Sequence, residues 1–207
     1  MLTFNIQRRK LLAPSTHSVF RWCYNIFFTL GILALSYVGY VLLDTRLYQT
    51  EQARRFEHAL KEAQSLHDAS LAIPIPEGAP LGRIEISRVG LTAMIQEGVD
   101  EATLRHAVGH IPGTPLPDER GNVALAGHRD SFFRGLRNVR LNDEIGLTTL
   151  KGTFRYRVEA IKVVAPEETT VLDDAGYDRL TLVTCYPFNF VGSAPKRFII
   201  SARKLIQ

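Results

Sequence analysis

Two side chains that could act together in catalysis stand at the ends of apolar segments. Cys185 closes the segment RLTLVTC, and His128 follows the segment NVALAG (Asn122–Gly127). Strand ends that open into loops are usual positions for reactive groups on a rigid scaffold. A thiol nucleophile needs a base or a charge that favours the thiolate. If the two strands are neighbours, we expect both side chains at one edge. The alternatives are a buried structural cysteine and a surface-loop histidine.

The N-terminal part of the chain predicts a membrane anchor. Trp22–Leu43 holds 22 residues without a charge. A helix of that length spans a hydrocarbon core of roughly 30 Å. Arg8, Arg9, Lys10 and Arg21 precede it, which predicts a cytoplasmic N-terminus and places the remainder outside the cytoplasm. A cleaved signal peptide is the alternative, disfavoured because its apolar region is usually about 7–15 residues long.

This orientation makes Cys185 unusual. The only other cysteine, Cys23, lies within the predicted span, so Cys185 has no available partner. Cysteines outside the cytoplasm normally pair, and a lone thiol there is a candidate functional group. Arg197 opens the last predicted strand, and its guanidinium could hold a substrate carbonyl or stabilise an oxyanion. The alternative for Arg197 is a solvated charge at a strand end.

Two groups of residues raise the question of a metal. His106 and His110 have the i, i+4 spacing that suits zinc on a helix, but no third ligand is evident and packing or capping is favoured. An acidic group could bind calcium weakly, although a solvated loop is the favoured interpretation. Its members are Glu167, Glu168, Asp173, Asp174 and Asp178. We therefore expect neither a metal nor a cofactor.

The remaining pattern predicts four parts: a cytoplasmic segment (1–21), the transmembrane helix (22–43), a helical stalk with a proline-rich linker (44–80) and a β-rich domain (81–207). The domain shows seven short strands at close spacing, which favours a closed or nearly closed β-barrel. A short helix with Asp100 as N-cap interrupts them. The net charge of +4 includes no concentrated basic stripe, so we expect no nucleic-acid partner.

Three segments resemble the sortases, cysteine transpeptidases of the bacterial cell surface. They are TLVTC (Thr181–Cys185), NVALAGHRDSFF around His128 and APKRFII around Arg197. The separations of 57 residues from His128 to Cys185 and 12 from Cys185 to Arg197 also fit. The loop sequences resemble class D most, with class E as the neighbouring branch.

The resemblance implies a closed eight-stranded sortase barrel, one strand more than the pattern shows. It implies Cys185 as nucleophile, His128 as general acid and base, and Arg197 as the group that positions substrate and stabilises the oxyanion. The implied partners are secreted proteins with a C-terminal sorting motif and an amine acceptor from a peptidoglycan precursor or a pilin lysine, together with membrane lipid. An extracytoplasmic cysteine peptidase of wall peptides and a non-catalytic anchored binding module are the alternatives.

Overall fold

The computed structural model describes residues 16–65 and 75–206. The chain divides into two compact units, Met1–Asp44 and Thr45–Gln207. Helix α1 (Thr16–Ser65) contributes residues to both units and includes most of the predicted stalk. Most of the predicted cytoplasmic segment and residues 66–74, which contain the end of the stalk and the start of the linker, lie outside the described residues.

The predicted membrane span (22–43) falls within α1, in the part of the chain that the structure describes. None of the helices there combines the length and the apolar character needed to cross a membrane. The span predicted at residues 22–43 is therefore not confirmed by the structure.

Within the residues that the structure describes, eight strands form a closed barrel, which confirms the mainly β architecture that the resemblance implied. Around the barrel the order is β1, β2, β3, β4, β7, β8, β6 and β5. The strands are β1 (Pro80–Ile86), β2 (Leu91–Glu97), β3 (Val108–His110), β4 (Asn122–Ala126), β5 (Glu144–Thr149), β6 (Gly152–Val164), β7 (Arg179–Tyr186) and β8 (Lys196–Lys204). The strand that the sequence pattern missed is β3, because three residues are too few to show a period-two alternation.

Short helical segments connect the strands. Helix α2 (Glu101–His106) begins at Asp100, whose carboxylate accepts hydrogen bonds from the backbone N–H groups of Ala102 and Thr103. This confirms the predicted cap, which satisfies N–H groups that have no partner inside the helix. A 3-10 turn (Ser87–Val89) joins β1 to β2, and Gly90 follows it with φ 65°, a left-handed conformation that favours glycine.

The strand directions bring three chain segments to one rim. Strand β7 runs parallel to β4 on one side and antiparallel to β8 on the other. The C-terminal ends of β4 and β7 and the N-terminal end of β8 therefore lie together, and we call this end of the barrel the active rim. The interior below it is filled by fully buried aliphatic side chains, among them Leu125, Leu182 and Ile200. Each stabilises the fold by roughly 1.5–3 kcal/mol through burial.

The part of α1 that belongs to the barrel unit packs against β2 and α2. Gln49 Oε1 accepts a hydrogen bond of 3.1 Å from the Met94 backbone N–H, and Gln49 Nε2 donates to the His106 backbone oxygen. Gln96 donates to the Tyr48 hydroxyl at 2.8 Å. The β2–β3 pairing begins only at Ile95, so Gln49 supplies an acceptor where the ladder has not yet started.

Candidate active site

Cys185 is the next-to-last residue of β7, at the active rim. It is a free cysteine and its side chain is half-buried. The interior residues Leu180 and Leu182 anchor this strand in the core, so the thiol projects from a rigid element. The structure therefore confirms the expected strand-end position.

His128 follows the last residue of β4 by two positions and is exposed at the active rim. The parallel β4–β7 pair ends with Ala126 opposite Val183, and Gly127 extends it by donating a 3.2 Å hydrogen bond to the Val183 oxygen. One residue further, the buried Thr184 hydroxyl donates a 2.7 Å hydrogen bond to the Gly127 oxygen. These contacts bring the segment with His128 alongside the end of β7, where Cys185 follows Thr184.

The backbone around His128 is fixed by Phe133. The Phe133 N–H donates a 3.0 Å hydrogen bond to the His128 oxygen, and the Phe133 ring is fully buried. A Cβ atom added at Gly127 would lie 2.8 Å from this ring. Glycine before His128 therefore allows a close approach that any other residue would prevent, and the approach holds the His128 segment against the core.

Arg197 pairs directly with Cys185 across the antiparallel β7–β8 ladder. Its guanidinium Nη1 donates to the backbone oxygens of Ala194 at 3.3 Å and Lys196 at 3.2 Å. Among the described residues it forms no ion pair with a carboxylate. Its positive charge is therefore not neutralised, and the guanidinium keeps donors for a carbonyl oxygen or an oxyanion.

The arrangement brings together the three groups that the sequence singled out. A thiol, an imidazole and a guanidinium stand at the ends of three adjacent strands, β7, β4 and β8. A thiol nucleophile with a nearby histidine can form and resolve an acyl-enzyme, and a cationic donor can stabilise the tetrahedral oxyanion. The site therefore fits acyl transfer through a thioester.

The other barrel histidines have packing roles. His110 is buried, with Nδ1 2.7 Å from a Glu97 carboxylate oxygen and Nε2 3.0 Å from the Thr114 hydroxyl. The His106 ring packs against the Tyr48 ring at 4.8 Å between centroids. These contacts agree with the packing interpretation. His106 ends α2 and His110 lies in β3, so the two histidines do not share one helix face.

Members of the acidic group of the β6–β7 connection accept hydrogen bonds from backbone N–H groups. Asp174 accepts from the Gly176 N–H at 2.9 Å, and Asp178 accepts from the Gly121 N–H at 3.2 Å. Within the described residues, no three His, Cys, Asp or Glu side chains are grouped so that they could hold a metal ion. A cavity of about 950 Å³ opens near Asp178 at the opposite end of the barrel and contains none of the three rim residues.

Arg129 is a rim residue that the sequence did not single out. Its Nη2 donates to the backbone oxygens of Phe190 at 2.7 Å and Gly192 at 3.0 Å. Arginine is common in this sequence, so the residue type alone gave no signal for Arg129. Its position next to His128 was the only feature that pointed to a role at the rim.

The comparisons with known proteins agree with this geometry. The family model described as the sortase domain matches residues 84–205. Sortase D of Bacillus subtilis is 31% identical over 185 residues, covering 84% of this chain and 93% of the relative. A structure of a Clostridium perfringens sortase D5 transpeptidase has a TM-score of 0.62 at 28% identity and covers 78% of this chain and 98% of that one. Sortase C-1 of Actinomyces oris has a TM-score of 0.57 at 26% identity, covering 74% and 99% of the respective chains.

Proposed function

We propose that this chain, which belongs to the sortase family, cleaves a C-terminal sorting motif of secreted proteins after a threonine. It then transfers the acyl group to an amine. Members of this family are cysteine transpeptidases, and the likeness extends to class D relatives. The observation that carries the proposal is the pairing of Cys185 with Arg197 on β7 and β8, with the His128 segment bound to the other side of β7.

The proposed reaction has two acyl-transfer steps. The Cys185 thiolate attacks the carbonyl carbon of the motif threonine, and Arg197 stabilises the resulting oxyanion. The C–N bond breaks as the His128 imidazolium gives a proton to the leaving amine, which leaves a thioester on Cys185. An incoming amine then loses a proton to His128, attacks the thioester and releases the thiolate. A new amide bond has then replaced the one that was broken.

The proposed acceptor is an amine of a peptidoglycan precursor or a pilin lysine. A thioester suits this role because it keeps the acyl group activated until an amine arrives. The half-buried position of Cys185 supports selection of an amine over bulk water, since the thioester would form within the rim. The acceptor itself follows from the family resemblance and not from a side chain at the rim.

We further propose that the enzyme is held at the cell membrane with a cytoplasmic N-terminus and the barrel outside. The support is the uncharged stretch Trp22–Leu43 with basic residues before it. Large apolar side chains in this stretch are exposed, among them Trp22, Phe27 and Leu35, and an apolar surface of this kind marks a partner or a lipid environment. Fractionation of cells, with a protease-accessibility assay of the barrel, tests this arrangement.

Product analysis tests the transpeptidation. The chain is incubated with synthetic peptides that contain Leu-Pro-type or Leu-Ala-type motifs ending in Thr-Gly, with and without a small amine such as triglycine. We expect the amide product only when the amine is present, and no cleavage by Cys185→Ala. Release of the free acid alone, at the same rate with and without amine, would identify a hydrolase instead.

A further inference from the structure

The loop that follows Cys185 has a packed base and an exposed tip. We define the β7–β8 loop as Pro187–Pro195. At its base the Phe188 ring packs against Phe198 at 5.2 Å and against Tyr186 at 6.1 Å between centroids. At its tip the side chains of Phe190 and Val191 are 45% and 95% exposed. Aromatic packing therefore orders the base but does not reach the tip.

Arg129 reaches the tip from the other side of the active site. The two hydrogens on its Nη2 serve the backbone oxygens of Phe190 and Gly192. In the part of the chain that the structure describes, no other side chain from outside Tyr186–Arg197 hydrogen-bonds to the β7–β8 loop. Arg129 therefore forms the hydrogen-bonded link between the segment that contains His128 and the loop that follows Cys185.

The guanidinium is not an ordinary solvated charge. Its other terminal nitrogen, Nη1, is buried and has no hydrogen-bond partner among the described residues. A buried donor without an acceptor lowers stability, so the side chain keeps this position in spite of a cost. Hydrogen bonds from a charged donor are stronger than neutral ones and offset that cost. The planar group also fixes two carbonyl oxygens at once, which a flexible ammonium does less well.

We propose that Arg129 is a positioning residue for the acyl-donor peptide: it holds the tip of the β7–β8 loop against the His128 segment. It acts through the backbone of Phe190 and Gly192, and has no role in the proton transfers or at the oxyanion. The exposed apolar tip then meets the peptide in an already ordered form, which lowers the entropic cost of binding. This inference rests on the proposed function.

Steady-state kinetics with a labelled sorting peptide and an amine test the inference. We expect Arg129→Ala to raise KM for the peptide about tenfold, as the loss of about 1.4 kcal/mol implies, with kcat changed less than about threefold. The KM of Arg129→Lys should lie between those of the parent enzyme and Arg129→Ala, because the lysine ammonium keeps the charge but lacks the planar geometry of the guanidinium. The matched control is Arg134→Ala, which removes an exposed arginine that has no side-chain partner among the described residues. It should behave as the parent enzyme.

Amide hydrogen exchange separates this inference from the proposed function. It is measured without peptide on the Cys185→Ala background, with and without Arg129→Ala. We expect residues 188–194 to exchange about tenfold faster in Arg129→Ala, while β7 and β8 stay protected and show that the barrel is folded. Unchanged exchange, or a KM equal to that of Arg134→Ala, would overturn the inference. A parent enzyme that makes no amide product would overturn the proposed function alone, since the exchange result does not depend on activity.

Discussion

Thr184 Oγ1 donates a 2.7 Å hydrogen bond to the backbone oxygen of Gly127. The bond joins the residue before the thiol to the residue before the imidazole, and it is fully buried. The β4–β7 ladder ends at Ala126 and Val183, so this bond extends the connection beyond the regular sheet. It therefore sets the position of the His128 segment relative to β7.

Thr184→Val removes this bond with little change in volume. We expect the catalytic efficiency of transpeptidation to fall about tenfold or more, because small displacements of a reacting group are costly. Thr184→Ser keeps the hydroxyl and should retain most activity. Thr181→Val is the matched control, because Thr181 lies on the same strand as Thr184 but away from the rim. Its hydroxyl donates a 2.7 Å hydrogen bond to Asn122 Oδ1. An equal loss in both valine variants would mean that Thr184 acts on stability alone.

Asp143 and Arg88 form a two-point ion pair that predicts a pH-dependent stability. Arg88 Nε lies 2.5 Å from Asp143 Oδ1, and Arg88 Nη2 lies 2.6 Å from Oδ2. The hydrogen bonds from Arg88 hold the pKa of the Asp143 carboxyl below its usual value, despite an opposing effect of burial. The folded pKa is therefore lower than the unfolded one of about 4, and the ion pair stabilises the ionised form.

This stabilisation is complete above the unfolded pKa and is lost as pH falls through the folded pKa. We expect Asp143→Asn to lower Tm by roughly 4 °C or more at pH 7. The difference from the parent enzyme should shrink below about pH 4, as the parent carboxyl becomes protonated. Thermal unfolding from pH 7 to pH 3 measures both values. A difference that stays constant over this range would contradict the assigned ion pair.

Removal of the Tyr156 hydroxyl is expected not to weaken the fold. Its side chain is fully buried, and its hydroxyl has no hydrogen-bond partner among the described residues. Burial is the main cause that raises the pKa of Tyr156, with smaller effects of Asp178 and Asp118. Tyr156→Phe removes an unsatisfied hydroxyl and keeps the ring, so we expect an equal or higher Tm. Tyr156→Ala should lower the free energy of unfolding by about 3–5 kcal/mol. A clear loss in Tyr156→Phe would reveal a partner for the hydroxyl.

The hydrogen bonds of Gln49 connect α1 to the barrel, and we expect them to stabilise the fold. Gln49→Ala would leave the Met94 N–H and the His106 oxygen without their partner. We expect the free energy of unfolding in urea to fall by about 1–3 kcal/mol. Arg54→Ala, at an exposed position on the same helix, should change it little. Equal values for the two variants would show that the Gln49 hydrogen bonds do not contribute to stability.

The sequence predicted the parts of the fold and the site that depend on local pattern. Alternation predicted the longer strands and Asp100 the start of α2, and the strand ends drew attention to His128 and Cys185 as candidate reacting side chains. Strand β3 was not visible because its three residues lie in a parallel pair with β2 that only the closed barrel creates.

Contacts between segments that are distant in the chain could not be predicted from the sequence either. Arg129 and the tip of the β7–β8 loop are about sixty positions apart, and their link goes through backbone oxygens that have no residue-specific signature. Gln49 bonds to backbone groups as well, so no side-chain pattern predicts it. The resemblance implied the eighth strand, which the structure contains, and the roles proposed for His128 and Arg197.

The proposed reaction requires Cys185 to form a covalent acyl-enzyme. Intact-mass spectrometry of the enzyme, incubated with a Leu-Pro-type or Leu-Ala-type sorting peptide and no amine, tests it most directly. We predict a mass increase equal to the peptide up to its threonine, located on Cys185 by peptide mapping, removed by added amine and absent from Cys185→Ala. An adduct on another residue, or amide product formed by Cys185→Ala at the parent rate, would contradict the proposed role of Cys185 as nucleophile.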